Sequence, residues 1–382
     1  MKIMIVIPTL GYGGAETLVL CWIREWLEAA DVSKVVLVLY SRCFLHRLGD
    51  LAEHPKFQLE IEDTNTPWRM FRLRYFLHLL RLKKIVKRIQ PDVIHTHLAA
   101  GLDFALLRFV LSQRCRFVHT MHYPVIPERG PFYHRLLRYY CGAKECCPVA
   151  ISASVAQTMR QYYHVEPHLI FNGAGIPPET SERAGVEQEI RHLMYSNSSE
   201  EKRVFIAVGR VSPEKNHEMM TQVFQRLYQE KQPVMLVVLG DLIHDENRKK
   251  YLPMRNQNIF FLDRKNNVGD YLRCAEFFCM TSHFEGFGVS AAEAMSLGVI
   301  PVITPTEGVL EVIPSEKHGI ISEDMAAESY YQAVRYALAL HEDEKEKIRH
   351  QNRCRYEENF TMKCCAENYL TLFKETENRC GR

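Results

Sequence analysis

The chain has 382 residues, 47% hydrophobic and 25% charged, with a net charge of +2. That length exceeds one ordinary core and predicts two domains, and the composition excludes a disordered or fibrous chain. Near-neutrality hides an asymmetry: residues 1–175 carry 22 Lys/Arg against 14 Asp/Glu, a balance of +8, leaving −6 for the remainder, so the first half is the one suited to an anionic partner.

The opening MKIMIVIPTL has one lysine and a short apolar run, but it leads into GYGGAE rather than a small-residue cleavage site, and it reads as a buried first strand. Strands KVVLVLY, DVIHTH, RFVHTMH, PVAIS and HLIFNG follow, separated by the helical stretches TLVLCWIREWLEAA, FRLRYFLHLLRLKKIVKRI and SVAQTMRQYYH. Apolar strands alternating with helices predict a parallel sheet covered on both faces. From Pro177 to Lys202 the chain turns polar and rich in turn residues, PPETSERAGVEQEIRHLMYSNSSEEK, which predicts a linker after a first domain of residues 1–176.

The pattern restarts in a second domain, residues 203–382. RVFIAVGR, VMLVVLGD, NIFFLD, FFCMTS and IPVITP are its strands, with helices over 217–231, 266–275 and 290–297. The helices expected between Met325 and about Asn378 are long enough to pack back on the first domain. The fold class is therefore α/β, two doubly wound Rossmann-like domains facing across a cleft, with ligands beyond the carboxyl ends of the strands. No stretch reaches the roughly 18–20 apolar residues of a membrane-spanning helix. The 12 cysteines show no CxxC spacing, and Cys141, Cys146 and Cys147 lack a second ligand pair, so they read as reduced thiols in a cytoplasmic protein.

Candidate chemistry gathers at strand ends. GYGGAE, residues 11–16, precedes a helix as an anion-binding loop would, yet Glu16 stands where a dinucleotide fingerprint needs its third glycine, and LYSRC lacks the acid that should close the second strand. GRVSPEKN puts Arg210 and Lys215 five apart on a loop, where they can neutralise a diphosphate or lie solvated. In EGFGVSAAE, Ser290 and Glu293 fit a capping box, with Gly298 ending the helix. That accounts for Glu293 but not for Glu285, a carboxylate before a glycine turn that needs donors such as sugar hydroxyls. The amides of Phe287 to Val289 lie between the two acids.

His95 and His97 alternate on one strand, and His119 and His122 stand near the end of the next; either pair can be interior or catalytic. No carboxylate near them completes a metal site, and no metal is expected. Trp68 to Ile89 carries eight Lys/Arg and no acid, interleaved with Phe71, Tyr75, Phe76, Leu79, Leu80 and Leu82. It reads as a crossover helix whose apolar stripe is core, or as a helix lying on an anionic membrane surface. No nucleic-acid recognition motif accompanies the charge.

The ordered series GGAE, IHTH, VHTMH, NG with GI, GRVSPEKN, VVLGD and EGFGVSAAEAMSLGVIPVIT resembles the family four retaining glycosyltransferases, of the GT-B fold, over nearly the whole chain. The resemblance implies a metal-independent transfer of a hexose or N-acetylhexosamine from a UDP- or GDP-linked sugar to a glycan, in polysaccharide or lipopolysaccharide assembly. It needs no further cofactor. The basic first domain and the Trp68–Ile89 stretch add a lipid-linked acceptor and a peripheral position on the inner membrane face, residues 68–89 meeting the lipid.

By the same resemblance Arg210 and Lys215 bind the diphosphate, Glu285 holds the transferred sugar and Glu293 the ribose. Gly13, Gly14, Gly286, Phe287, Gly288 and Val289 complete the donor site; Glu16, His97 and His122 lie on the acceptor side, His122 near the reacting carbon. Two departures from the family pattern are Glu307 beside Gly308, where two glycines are usual, and Asp263 in FLDRKN, where a glycine is usual. A nucleotide-sugar epimerase of the same fold and a non-catalytic nucleotide-sugar-binding partner are the alternatives.

Overall fold

Strand β1 (Lys2–Val6) pairs in parallel with β2 (Lys34–Leu39) on one side and β4 (Val93–His97) on the other. With β3 (Phe57–Ile61), β5 (Arg116–Met121), β6 (Cys146–Ala150) and β7 (His168–Leu169) they form a seven-stranded sheet of order 3-2-1-4-5-6-7. A second parallel sheet has the order 10-9-8-11-12-13, from β8 (Arg203–Val208), β9 (Val234–Leu239), β10 (Ile259–Leu262), β11 (Phe277–Met280), β12 (Ile300–Ile303) and β13 (Ile320–Ile321). This computed structural model describes residues 1–11, 14–62, 71–111, 115–126, 130–196, 200–240, 249, 251 and 257–380, without the side chains of 71–73 and 376–380.

Both sheets reverse strand order beside their first strand, between β1 and β4 and between β8 and β11. Those are the switch points where doubly wound sheets bind ligands. Two edge strands escape the sequence reading. FQLEI of β3 alternates and is only half-buried throughout, and β13 is two residues long. Edge strands lack the continuous apolar run that marks a strand covered on both faces.

The chain divides into one unit of Met1–Gly173 with Met362–Arg382 and another of Ala174–Thr361. The stretch 177–202, read above as a linker, instead carries the helix Arg183–Tyr195 and belongs to the second unit. Its burial is thin, Val186 and Ile190 alone, which explains its polar look. Tertiary hydrogen bonds hold the segment: Thr180 gives its amide and hydroxyl to Asp270 at 3.0 and 2.5 Å, and Tyr271 donates to Glu189 at 2.6 Å.

In the first unit, helix Gly14–Glu28 buries Leu18, Val19, Trp22, Ile23, Trp26 and Leu27 at helical spacing. Helix Met362–Cys380 completes that core with Cys365, Ala366, Tyr369, Leu372 and Phe373. The Trp26 indole donates to the Ala366 carbonyl at 3.0 Å, and its ring meets Phe373 edge-on at 5.4 Å. The second unit has its own core around Phe205, Phe224, Leu236, Phe277 and Tyr330.

Helix Phe71–Ile89 is held by a buried polar cluster. His78 bonds Glu62 through Nδ1 and lies 3.4 Å from Asp103 Oδ2 through Nε2. Tyr40 and Tyr75 donate to Asp103 at 2.7 and 2.9 Å. Burial acts to lower the imidazole's pKa, but the hydrogen bonds and charges of Asp103 and Glu62 prevail, and His78 is raised to about 9. Among the described residues no helix is long and apolar enough to cross a membrane.

Candidate functional site

Two loops flank the switch point of the second sheet. The first runs from Gly209 to Asn216 after β8, the second from Thr281 to Gly288 after β11. They are sewn together by backbone carbonyls. The His283 amide donates to Glu214 O at 2.8 Å, and the Thr281 hydroxyl lies 3.1 and 3.0 Å from the carbonyls of Lys215 and Asn216. Asn216 adopts a left-handed conformation and accepts from Met219 N with its side chain, capping helix His217–Gln229. Lys215 therefore leaves a short, well-anchored turn.

The Lys215 ammonium is bonded to Glu285 Oε1, and the Ser282 hydroxyl donates to the same oxygen at 2.7 Å. Lys215 and Glu285 are 22% and 12% exposed, so the pair sits at a rim, screened from water yet reachable. Arg210 is exposed and makes no ion pair among the described residues. It remains able to give its planar fork to an incoming anion.

Glu285 is placed by Gly308, the glycine that stands beside the departure at Glu307. A Cβ at Gly308 would overlap the Glu285 carbonyl oxygen, so only glycine lets the two backbones meet. Thr306, two residues earlier, donates its hydroxyl to Ser282 O at 2.5 Å. Ser282, Thr281 and Thr306 were not singled out in the sequence; the one available signal is Ser282, three residues before the Glu285 it supports.

The expected capping box does not form. Helix Val289–Ser296 starts two residues earlier than the box requires, with Gly288 at its N-cap at φ 86° and no side-chain cap. Ser290 lies inside the first turn and cannot cap it. Gly298, at φ 74°, does follow the helix end. Glu293 is left half-buried with no hydrogen-bond partner for its carboxylate among the described residues, and burial pushes it up to about 7. Phe287 buries its ring against Phe360 at 5.4 Å, so it serves the core. The first amides of helix Val289–Ser296 have no acceptors within the helix and carry its positive end.

Gly13 and the aspartate of VVLGD, Asp241, lie outside the described residues, as do 68–70 of the basic stretch. In the first unit Gly14 starts helix Gly14–Glu28, and Glu16 Oε1 lies beside Gly11. Arg47, absent from the sequence reading, donates to the carbonyls of Leu10 and Gly11 and to Thr17 Oγ1, the last at 2.8 Å, fixing the end of β1. At the ends of β4 and β5 the four histidines are buried. His95 bonds Thr120 at 2.8 Å, His119 bonds Thr96 at 2.9 Å, and His97 Nδ1 bonds His122 Nε2 at 3.0 Å. Burial lowers all four, His119 to about 4 and His122 to about 3, so the rings are neutral near pH 7.

Two units, each with a parallel sheet whose strand order reverses beside its first strand, define a pair of Rossmann-like domains. Residues 12–174 match the family model described as Glycosyltransferase Family 4, and residues 192–355 the one described as Glycosyl transferases group 1. The chain belongs to these GT-B glycosyltransferases. Sulfoquinovosyl transferase SQD2 of Arabidopsis thaliana is 23% identical over 247 residues, 63% of this chain and 48% of that protein. The N-acetylgalactosamine-N,N'-diacetylbacillosaminyl-diphospho-undecaprenol 4-alpha-N-acetylgalactosaminyltransferase of Campylobacter jejuni is 26% identical over 156 residues, 40% and 41% of the two chains. The chain thus spans about half the length of these curated relatives, or less. The solved structure of Anabaena Alr3699/HepE in complex with UDP matches with a TM-score of 0.80 at 16% identity, covering 98% of this chain and 100% of that one, a likeness of fold.

Proposed function

We propose that the protein is a retaining, metal-independent glycosyltransferase that moves a hexose or N-acetylhexosamine from a UDP- or GDP-linked sugar to a lipid-linked glycan in cell-surface polysaccharide or lipopolysaccharide assembly. The observation that carries this is the Lys215–Glu285 pair, supported by Ser282, with Arg210 exposed in the same loop as Lys215 and making no close ion pair among the described residues. A diphosphate brings more negative charge than one carboxylate and draws Lys215 to itself, while Arg210 adds its fork. Glu285 then accepts hydrogen bonds from the sugar hydroxyls, and Glu293, whose carboxylate has no hydrogen-bond partner among the described residues, accepts them from the ribose.

In the reaction the bond from the anomeric carbon to the diphosphate oxygen breaks and a bond to the acceptor oxygen forms on the same face. The acceptor proton passes to the departing phosphate. Negative charge gathers on the diphosphate as the sugar becomes oxocarbenium-like, and cations already in place stabilise that charge without reorganisation. Two cations on one loop make a metal ion unnecessary for this task.

The lipid-linked acceptor is supported by the name of the Campylobacter relative, which contains diphospho-undecaprenol. It is supported too by helix Phe71–Ile89, which exposes Phe76 and Leu80 together with Lys84 and Lys87. Flotation with anionic vesicles at low and high salt tests the membrane surface; no salt-sensitive attachment removes it. For the reaction, a panel of UDP- and GDP-sugars is incubated with the protein, and donor breakdown and product anomeric configuration are followed by NMR. Slow hydrolysis of one donor and a retained configuration are expected. Stabilisation by nucleotide without any turnover assigns the non-catalytic binding role instead.

A further inference from the structure

Each neutral imidazole carries one proton, so a bond between two of them requires one donor nitrogen and one bare acceptor. Such a bond joins His97 and His122. In the parallel ladder His97 stands opposite Thr120, two residues before His122, and its Nδ1 lies 3.0 Å from His122 Nε2. His97 is fully buried and His122 is 6% exposed. The other two histidines differ in kind, because His95 and His119 face threonine hydroxyls, which donate or accept as needed.

The environment of His97 selects the direction of the bond. Among the described residues its Nε2 is buried without a hydrogen-bond partner, and the rings of His95 and Trp22 lie 4.1 and 5.8 Å from its own between centroids. If His122 donated, the His97 proton would sit on that orphan nitrogen. A buried N–H without an acceptor is the rarer kind of orphan and wastes a full donor. With the proton on Nδ1, His97 donates to His122 Nε2, and His122 must carry its own proton on Nδ1.

We infer that His97 is a positioning residue that fixes the ring of His122 and its tautomer, so that His122 presents an Nδ1–H donor, not a base, to a ligand oxygen. This rests on the proposed role of His122 in the transfer reaction. Donation suits a group facing hydroxyl or phosphate oxygens, and a fixed tautomer means no proton rearrangement when the ligand arrives.

The test has two arms on the full chain. Long-range proton–nitrogen NMR reads the tautomer without substrate: His122 is expected to show pyrrole-like Nδ1 and pyridine-like Nε2, changing toward the Nε2–H form in His97→Leu. A wild-type His122 already protonated on Nε2, or one unchanged in His97→Leu, overturns the inference even if transfer is found. In the second arm His97→Leu is expected to lower kcat about 10–100-fold with KM for the nucleotide sugar within about two-fold. His97→Asn, which keeps a donor near the Nδ1 position, restores most of it. Equal loss in both folded variants overturns the positioning role. Absence of any transfer by the wild type defeats the proposed function alone, since the tautomer remains readable.

Discussion

Lys215 and Glu285, 70 residues apart, form an ion pair between the loops that follow β8 and β11. Removing Lys215 takes away both the partner of Glu285 and a cation proposed to face the diphosphate. Lys215→Ala and Glu285→Gln are each expected to reduce transfer about 10²–10³-fold. Because the pair lies at a partly exposed rim, its contribution to folding is under about 1 kcal/mol, so the melting temperature should move little. Steady-state kinetics beside a thermal melt checks this, and a large fall in melting temperature with modest kinetics would assign the pair to the scaffold. The double variant is expected to fall well short of the product of the single losses, as residues acting as a unit do.

Glu293 makes a different forecast, with a sign that pH reveals. Its ordinary value is 4.5, and burial holds the folded carboxyl protonated up to about 7. Between those values the folded state binds more protons than the unfolded one, so stability declines as pH rises from about 4.5 to 7 and levels off above. Glu293→Gln should therefore stabilise the protein by about 1–3 kcal/mol at pH 8 and by little at pH 4.5. Melting curves at both pH values decide. If ribose hydroxyls are the missing donors, nucleotide binding near pH 7 releases a proton, which appears as a dependence of binding heat on buffer ionisation.

His78 titrates with the opposite sign. Its pKa rises from 6.5 to about 9 on folding, since Asp103 and Glu62 outweigh burial. Its contribution, about 3 kcal/mol from that shift, is complete below pH 6.5 and is lost as pH climbs through 9. His78→Leu leaves buried Asp103 without its cation and Glu62 with Arg81 alone, 3.4 Å away. It should destabilise the first unit at pH 6 by about 3–5 kcal/mol and flatten the pH dependence of unfolding. Chemical denaturation at pH 6 and 9.5 measures it, and an unchanged pH profile would refute the assignment.

The last helix belongs to the first unit's core. A chain ending at Thr361 loses Tyr369, Leu372 and Phe373 and leaves the Trp26 indole without the Ala366 carbonyl. Each large aromatic is worth about 3–5 kcal/mol, comparable to much of a domain's total stability. Truncation there is expected to unfold the first unit while the second, with its separate core, stays protease-resistant. Survival of both units in limited proteolysis would contradict it.

The two parallel sheets were legible from short apolar runs between helical patterns, and the glycine-rich and basic loops were placed at the right strand ends by their order alone. These features are local. A strand buried on both faces must be apolar, and a loop suited to an anion carries glycine and positive charge within a few residues. What stayed hidden was decided by partners far off in the chain. The polar stretch 177–202 looked like a linker because its anchors, Asp270 and Tyr271, stand about 90 and 80 residues away.

The capping box was a local pattern that tertiary geometry overrode, because the N-cap is Gly288, two residues before Ser290. Gly308 stood beside the departure at Glu307, and only its approach to the Glu285 backbone gave that glycine a reason. His97 and His122 were visible as histidines at neighbouring strand ends, but strand register alone set one imidazole against the other. Sequence by itself determined the kind of sheet and where along its strands the candidate residues fall, since hydrophobic period and loop chemistry are written locally. Tertiary structure alone decided their pairings, burial and protonation, because these depend on distances and solvent access that no spacing along the chain encodes.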